Sequence, residues 1–364
     1  MTTELRVLVV TIVHDPEDAR IRYRQIPALV EAGHHVVYAA PFDAFGRTPP
    51  DGVEGLSLPV ASGRHRLRAI RAARSLLRRI GAHADVILFH DPDLLLAAAG
   101  LHRRLAPIVW DVHEDTAAAL SMRAWVPTGF RRLLAACIRF AERWAERSCS
   151  LLLAEHSYRE RFRLPHPVVP NSVRVPAEVT IAPRADRVVY LGKLSRPRGG
   201  AELIALARAM PELSFQLIGP AEPDLQPALE AATAAGTLEW MRFMPNEQAL
   251  ARLPGALAGL ALLHDEPNYQ HSLPTKLVEY MAHGVPVITT PNQASADLVA
   301  SAEGGVVIPF GDVDAAARVL RSFVDDPEAR IAYARHGYDY VAGHVNWHID
   351  GPQFVRAVEE ASRR

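Results

Sequence analysis

HSLPTKLVEYMAHGVPVITT, residues 271–290, sets the architecture of the chain. Pro274 stands where a helix begins, residues 276–283 carry it forward, and Gly284 ends it. VPVITT (285–290) follows at once as a β-branched run, suited to a strand buried on both faces. A helix feeding such a strand is half of a parallel βα repeat. The helix start offers unpaired N–H groups and a partial positive charge, which suit a phosphate. Glu279 lies one turn further in, where its carboxylate can accept hydrogen bonds from two vicinal hydroxyls, as a ribose presents. A buried amphipathic helix with a solvated Glu279 is the structural alternative.

The same alternation extends outward in both directions. In the second half, strands are predicted at 188–192, 214–219, 238–243, 258–263 and 285–290. Helices are predicted at 200–210, 224–235, 247–252, 275–283, 293–300 and 312–325. Residues 164–186 carry a run of prolines without helical periodicity and read as the domain boundary, with the linker at 171–186. Before it, strands are predicted at 6–12, 35–41, 85–89, 107–112 and 150–154, with helices at 17–32, 66–80, 92–104 and 130–147. The pattern is α/β: two Rossmann-like doubly wound domains, 1–170 and 187–343, facing across an inter-domain cleft. A C-terminal helix in 344–364 packs back on either domain. Ligands of open parallel sheets bind at the strand C-terminal ends, so such a cleft holds two substrates.

At 364 residues the chain is long enough for two cores. Its net charge of −1 argues against nucleic acid as a partner. The balance hides an asymmetry of roughly +5 in the first 170 residues and roughly −6 in the rest. Lys193 and Lys276 are the only lysines. Cys137 and Cys149 have no metal-type spacing and read as ordinary thiols. No signal peptide or membrane-spanning run is evident, so a cytoplasmic location is expected.

VVYLGKLSRPRGGAELI (188–204) forms a second anion cradle. A strand ends at Gly192, Lys193 follows, and Arg198 precedes Gly199 and Gly200 at a helix start. Fixed cations and a helix start together stabilise a departing diphosphate. A solvated basic loop is the alternative.

These two segments resemble the C-terminal domain of the glycosyltransferases group 1 family, of the GT-B fold. The resemblance rests on Gly192-Lys193-Leu194, Arg198-Gly199, and Glu279-Tyr280-Met281-Ala282 followed by Gly284 and Pro286-Val287. It extends over the chain to Trp347. It implies a retaining transferase that moves a hexose-type sugar from a UDP- or GDP-linked donor. The acceptor would be a polysaccharide, a lipid-linked saccharide or a natural product. Gly192, Gly199, His271, Ser272, Pro274, Thr275, Lys276, Leu277 and Glu279 would bind the donor, and Lys193 and Arg198 would hold the leaving diphosphate. Two departures stand out. His271 occupies the place of the family's first Glu, and VHDPEDARI (13–21) replaces its glycine-rich loop.

The resemblance puts His113, in VWDVHEDTAAA (109–119), near the transferred sugar, with Asp111, Glu114 and Asp115 around it. His14, Asp15, Arg20 and His90 are expected on the acceptor side. A structural histidine at a strand end is the competing reading of His113. No spacing resembles a zinc site, and protein cations already meet the diphosphate, so no metal or other cofactor is expected beyond the nucleotide-sugar co-substrate. The basic helical run 64–80 is read as packing its apolar stripe on the sheet, with peripheral contact to anionic lipid at the inner membrane face as the alternative. A nucleotide-sugar epimerase and a non-catalytic nucleotide-sugar binder remain the competing functions.

Overall fold

The structure, a computed structural model, describes residues 4–113, 128–183, 185–270 and 272–363. The chain divides into two units, Met1–Asn171 with His348–Arg364, and Ser172–Trp347.

In the first unit, β1 (Arg6–Val10), β2 (His35–Ala40), β3 (Glu54–Ser57), β4 (Val86–Phe89), β5 (Ile108–Val112) and β6 (Ser150–Leu153) form one sheet in the order β3-β2-β1-β4-β5-β6. In the second, β7 (Arg187–Leu191), β8 (Ser214–Ile218), β9 (Glu239–Trp240), β10 (Ala258–Ala261), β11 (Val287–Thr289) and β12 (Gly305–Val307) follow the order β12-β11-β10-β7-β8-β9. Every pairing is parallel. β4, β5 and β10 are buried along their whole length, which is why continuous apolar runs, and not alternation, mark them. Strand order reverses beside β1 in one sheet and beside β7 in the other. The loops after β1 and β4, and those after β7 and β10, therefore border the two switch points where ligands of such sheets bind.

Two edge strands and one long helix are the main departures from the sequence reading. The edge strands β3 and β12 are short and largely solvent-facing, so they carry no apolar signal. The helix Pro327–His344 was not predicted either. Its buried face is Arg330, Ala334, Gly337 and Val341, too narrow and small for apolar periodicity to register. Gly337 comes close to Gly304, an approach a larger residue would block.

Of the expected linker 171–186, the described residues from Ser172 onward are a packed part of the second unit. Val173 bridges to Asn346, the Tyr338 hydroxyl donates to the carbonyls of Pro176 and Ala177, and buried Arg330 donates to Ala182 O. Proline there supplies extended segments that follow a surface. Of the last helix, Trp347–Ser362, residues from His348 onward belong to the first unit. There Glu359 lies 3.2 Å from the buried His34 imidazole.

Candidate active site

At the first switch point, the loop after β1 turns back on the carboxylate of Asp91, just beyond β4. Asp91 Oδ2 accepts the N–H groups of Ile12 (2.5 Å) and Val13 (3.2 Å) and the Thr11 hydroxyl (3.0 Å). These donors hold a fully buried carboxylate in place without glycine, which is how VHDPEDARI manages the turn.

The next segment contains a π turn, Ile21–Gln25, closed by an i→i+5 bond from Ile26 N to Ile21 O. That winding brings residues five apart onto one face. Arg20 and Gln25 both reach Asp111 of β5: Arg20 Nε and Nη2 donate to its two oxygens at 2.7 and 2.8 Å, and Gln25 Nε2 donates at 2.8 Å. Arg20 also donates to the carbonyls of Val169 and Pro170. Asp111 and Arg20, expected to meet the acceptor, are thus committed to each other in the interior. Burial opposes the carboxylate's charge, yet Arg20 holds its pKa well below the usual range.

Two imidazoles share this carboxylate. His90 Nδ1 lies 3.4 Å and His113 Nδ1 3.6 Å from Asp111 Oδ2. His113 Nδ1 also lies 3.2 Å from Asp111 O, and its Nε2 is 3.0 Å from His14 Nε2. Burial lowers the pKa of His90. Burial also acts against the charge on His113, but Asp111 outweighs it and raises that pKa from 6.5 to about 9. The contribution of His113 to stability is therefore complete below pH 6.5 and is lost as pH rises through about 9. The nitrogens of His90 and His113 and an oxygen of Asp111 lie within 4.8 Å of one another, close enough to ligate a metal ion. Asp111 already accepts three donors, and a cation there would face Arg20, so this donor set fits a metal poorly. Asp15 is paired with Arg47 at 3.2 Å. Glu114 and Asp115 lie outside the described residues. Thr11, Gln25 and Asp91 complete the cluster. FHDPD pointed to Asp91, but nothing in the sequence singled out Gln25, whose role depends on the π winding.

At the second switch point, Gly192 follows β7 with φ +107°. Arg198 ends a short 3₁₀ turn, and Gly199, with φ +79°, caps the helix Gly200–Ala209. Gly199 needs its missing side chain, because a Cβ there would run into the backbone of Leu262. Pro274 caps the helix Thr275–Ala282, and all residues from Lys276 to Ala282 are buried. Lys276 Nζ is buried without a hydrogen-bond partner. It lies 3.6 Å from the centre of the Tyr190 ring and 3.6 Å from where a Cβ on Gly192 would be. Burial, then the Arg198 charge, depress its pKa well below the ordinary lysine range, and Glu279 opposes them. Glu279 is itself 6% exposed, not solvated as the structural alternative required.

Lys193 is half exposed and pairs with Glu222 at 2.8 Å, so the buried cation of the cradle is Lys276. Leu277 presents no group to a ligand: its side chain is in the core and its N–H is bonded to Pro274 O. Ser272 is exposed at the mouth of the segment, and His271 lies outside the described residues.

The run 64–80 forms the helix Arg66–Ile80. Its Ala69, Ala73, Leu76 and Leu77 sit in the first core. Arg74 donates to the carbonyls of Ala97 and Ala99. Arg64, Arg68, Arg71, Arg78 and Arg79 are exposed, as is Leu67. Among the described residues no helix is long and apolar enough to cross a membrane.

Residues 176–340 match the model of the family described as "Glycosyl transferases group 1". The chain is 25% identical over 353 residues to a phosphatidyl-myo-inositol mannosyltransferase of Mycolicibacterium smegmatis, spanning 92% of this chain and 87% of that one. Among solved structures, sucrose-phosphate synthase from Thermosynechococcus elongatus superposes with a TM-score of 0.72 at 16% identity, covering 98% of this chain and 99% of that one. Anabaena HepE in complex with UDP-glucose superposes with a TM-score of 0.71 at 13% identity, covering 98% and 100%. Residues 176–340 thus match the glycosyl transferases group 1 model, and the chain has the GT-B fold of these solved structures.

Proposed function

We propose that the protein is a retaining glycosyltransferase that moves a hexose-type sugar from a nucleoside diphosphate donor to a saccharide, lipid-linked or natural-product hydroxyl. The observation that carries this reading is Lys276. A buried ammonium without a hydrogen-bond partner is costly, and it persists where an anion completes the site. Arg198 adds a second cation, as its effect on Lys276 attests. Gly192 leaves open the space beside Nζ. On this reading the diphosphate lies on Lys276 and Arg198 at the start of the helix Thr275–Ala282, and Glu279 holds the ribose. Two protein cations offset the leaving-group charge, so the reaction needs no metal. The departing phosphate oxygen takes the acceptor's proton as the acceptor attacks from the same face.

The acceptor is assigned to the first unit, around His14, His90 and His113. The HepE complex with UDP-glucose supports a uridine donor, and the mannosyltransferase relative supports a lipid-linked acceptor. The exposed arginines of 64–79 and Leu67 suit an anionic lipid surface, which would bring such an acceptor within reach.

The test is a thermal-melt panel of UDP, GDP and ADP, followed by transfer assays with the matching sugar donors. A nucleotide at a hundred times its Kd stabilises the site by about 2.7 kcal/mol. If none of the three raises the melting temperature, the donor assignment is wrong.

A further inference from the structure

His14 and His113 meet with their Nε2 atoms 3.0 Å apart. Two imidazole nitrogens at that distance are joined by one proton. Two protons would collide, and none would set lone pair against lone pair. Each end of the pair is fixed by a buried carboxylate. His113 Nδ1 is directed at Asp111, and His14 Nε2 also lies 3.2 Å from Asp91 Oδ1. Neither carboxylate is free to turn: Asp111 is clamped by Arg20 and Gln25, and Asp91 by the backbone of the loop after β1.

We propose that His14 is a positioning residue for His113: the two imidazoles share a single proton within a chain Asp111–His113–His14–Asp91. That proton fixes the charge and ring orientation His113 offers at the switch point of the first sheet.

The charges around the pair agree with this count. Asp111 is matched by Arg20, which leaves Asp91 to be matched by one positive charge on the pair. Asp18 stands 3.9 Å from His14 Nδ1 and reinforces that charge. His90 faces the same carboxylate as His113, and its lowered pKa keeps it from competing for the proton. With the proton on His113 Nε2, His14 Nε2 accepts but turns its lone pair on Asp91 Oδ1, the less favourable arrangement. With the proton on His14, both His113 Nε2 and Asp91 Oδ1 accept. Either arrangement leaves His113 Nδ1–H directed at Asp111, so the ring cannot flip without losing both ends.

The test uses full-length protein labelled with ¹⁵N-histidine and titrated by NMR without substrate. The expected result is a single protonation event reported by both rings together, with one slowly exchanging N–H proton correlated to both. Separate titration of the two imidazoles, each near the ordinary value of about 6.5, overturns the proposal. In His14→Phe the titration of His113 falls, with Asp111 still holding it above 6.5, whereas His14→Gln retains it, because the amide oxygen accepts the proton. An unchanged His113 titration in a folded His14→Phe protein also overturns it. If that variant does not fold, the wild-type titration decides alone.

The kinetic readout rests on the glycosyl-transfer reading. His14→Phe lowers kcat by roughly tenfold or more and moves its alkaline limb to lower pH, with the donor KM unchanged. His14→Gln recovers most of the loss. The NMR outcome stands whether or not sugar transfer is found, so the two readings fail separately.

Discussion

Asp111 and Lys276 are both buried charges near the switch points of their sheets, one on β5 and one on the helix Thr275–Ala282, yet their surroundings are opposite. Asp111 has a bidentate guanidinium, an amide and two imidazoles around it. Lys276 has an aromatic face, a second cation and the charge of Glu279 around it, and no hydrogen-bond partner for its Nζ among the described residues. The first arrangement is complete within the protein and holds side chains in a set geometry. The second leaves the hydrogen-bonding capacity of its amine unmet. A buried charge can therefore serve as scaffold or as binding site, and what separates the two is whether its partner is already supplied by the chain.

The sharpest way to break this comparison is to remove a partner on the complete side. Arg20→Met keeps much of the side-chain volume but leaves Asp111 as a buried carboxylate without its counter-charge. Loss of one member of such a pair costs about 3–5 kcal/mol. Chemical denaturation should show that loss in the first unit, and nucleotide affinity at the second should stay unchanged. A loss below about 1 kcal/mol would mean that Arg20 is solvated and dispensable.

On the incomplete side the same kind of substitution should have the reverse signature. Lys276→Met removes a buried cation that has no hydrogen bond to lose, only its attraction to Glu279, so the free protein should melt little lower. Binding of the nucleoside diphosphate, measured by calorimetry, should weaken by roughly a hundredfold, about 3 kcal/mol. A second reading sharpens the result. Since burial and Arg198 press Lys276 toward its neutral form, an arriving diphosphate draws a proton onto it. Calorimetry in buffers of different ionisation enthalpy should report net proton uptake in wild type that Lys276→Met abolishes. A variant that binds normally would move the diphosphate away from Lys276.

The two halves of this comparison were not equally legible in the sequence. The cradle of the second unit is local: Gly192, Arg198, Gly199, Lys276 and Glu279 lie in two short segments whose turn glycines and helix start can be recognised from composition. Sequence reading named both lysines there and could not tell which is buried. Lys193 is on the loop, where a cation is conspicuous, but it is half exposed and paired with Glu222. Burial of Lys276 depends on the packing of Tyr190 and on the tight turn at Gly192. The cluster of the first unit is non-local. His14, Arg20, Gln25, Asp91 and Asp111 come from three separate strand–loop segments, and their contacts span from 77 to 91 positions, as in Thr11–Asp91 and Arg20–Asp111. The i→i+5 winding that aligns Arg20 with Gln25 has no compositional mark. Continuous apolar runs identified the central strands, while β3, β12 and the helix Pro327–His344 were hidden because edge exposure and a small-residue face carry no period.

The smallest effect is expected at Gly192, and it tests how much room the cradle needs. Its φ of +107° is a conformation side-chain-bearing residues rarely adopt, so Gly192→Ala should cost about 1–2 kcal/mol of stability in the second unit. The added methyl would meet Lys276 Nζ at 3.6 Å, an ordinary contact, so the fold has no steric reason to fail. That methyl would stand where an oxygen of the diphosphate has to approach the ammonium. Affinity for the nucleotide should therefore drop by about tenfold, roughly 1.4 kcal/mol, even in buffer conditions that restore the melting temperature. Should Gly192→Ala melt lower yet bind with wild-type affinity, glycine is required there only by the turn, and the anion reaches Lys276 from another direction.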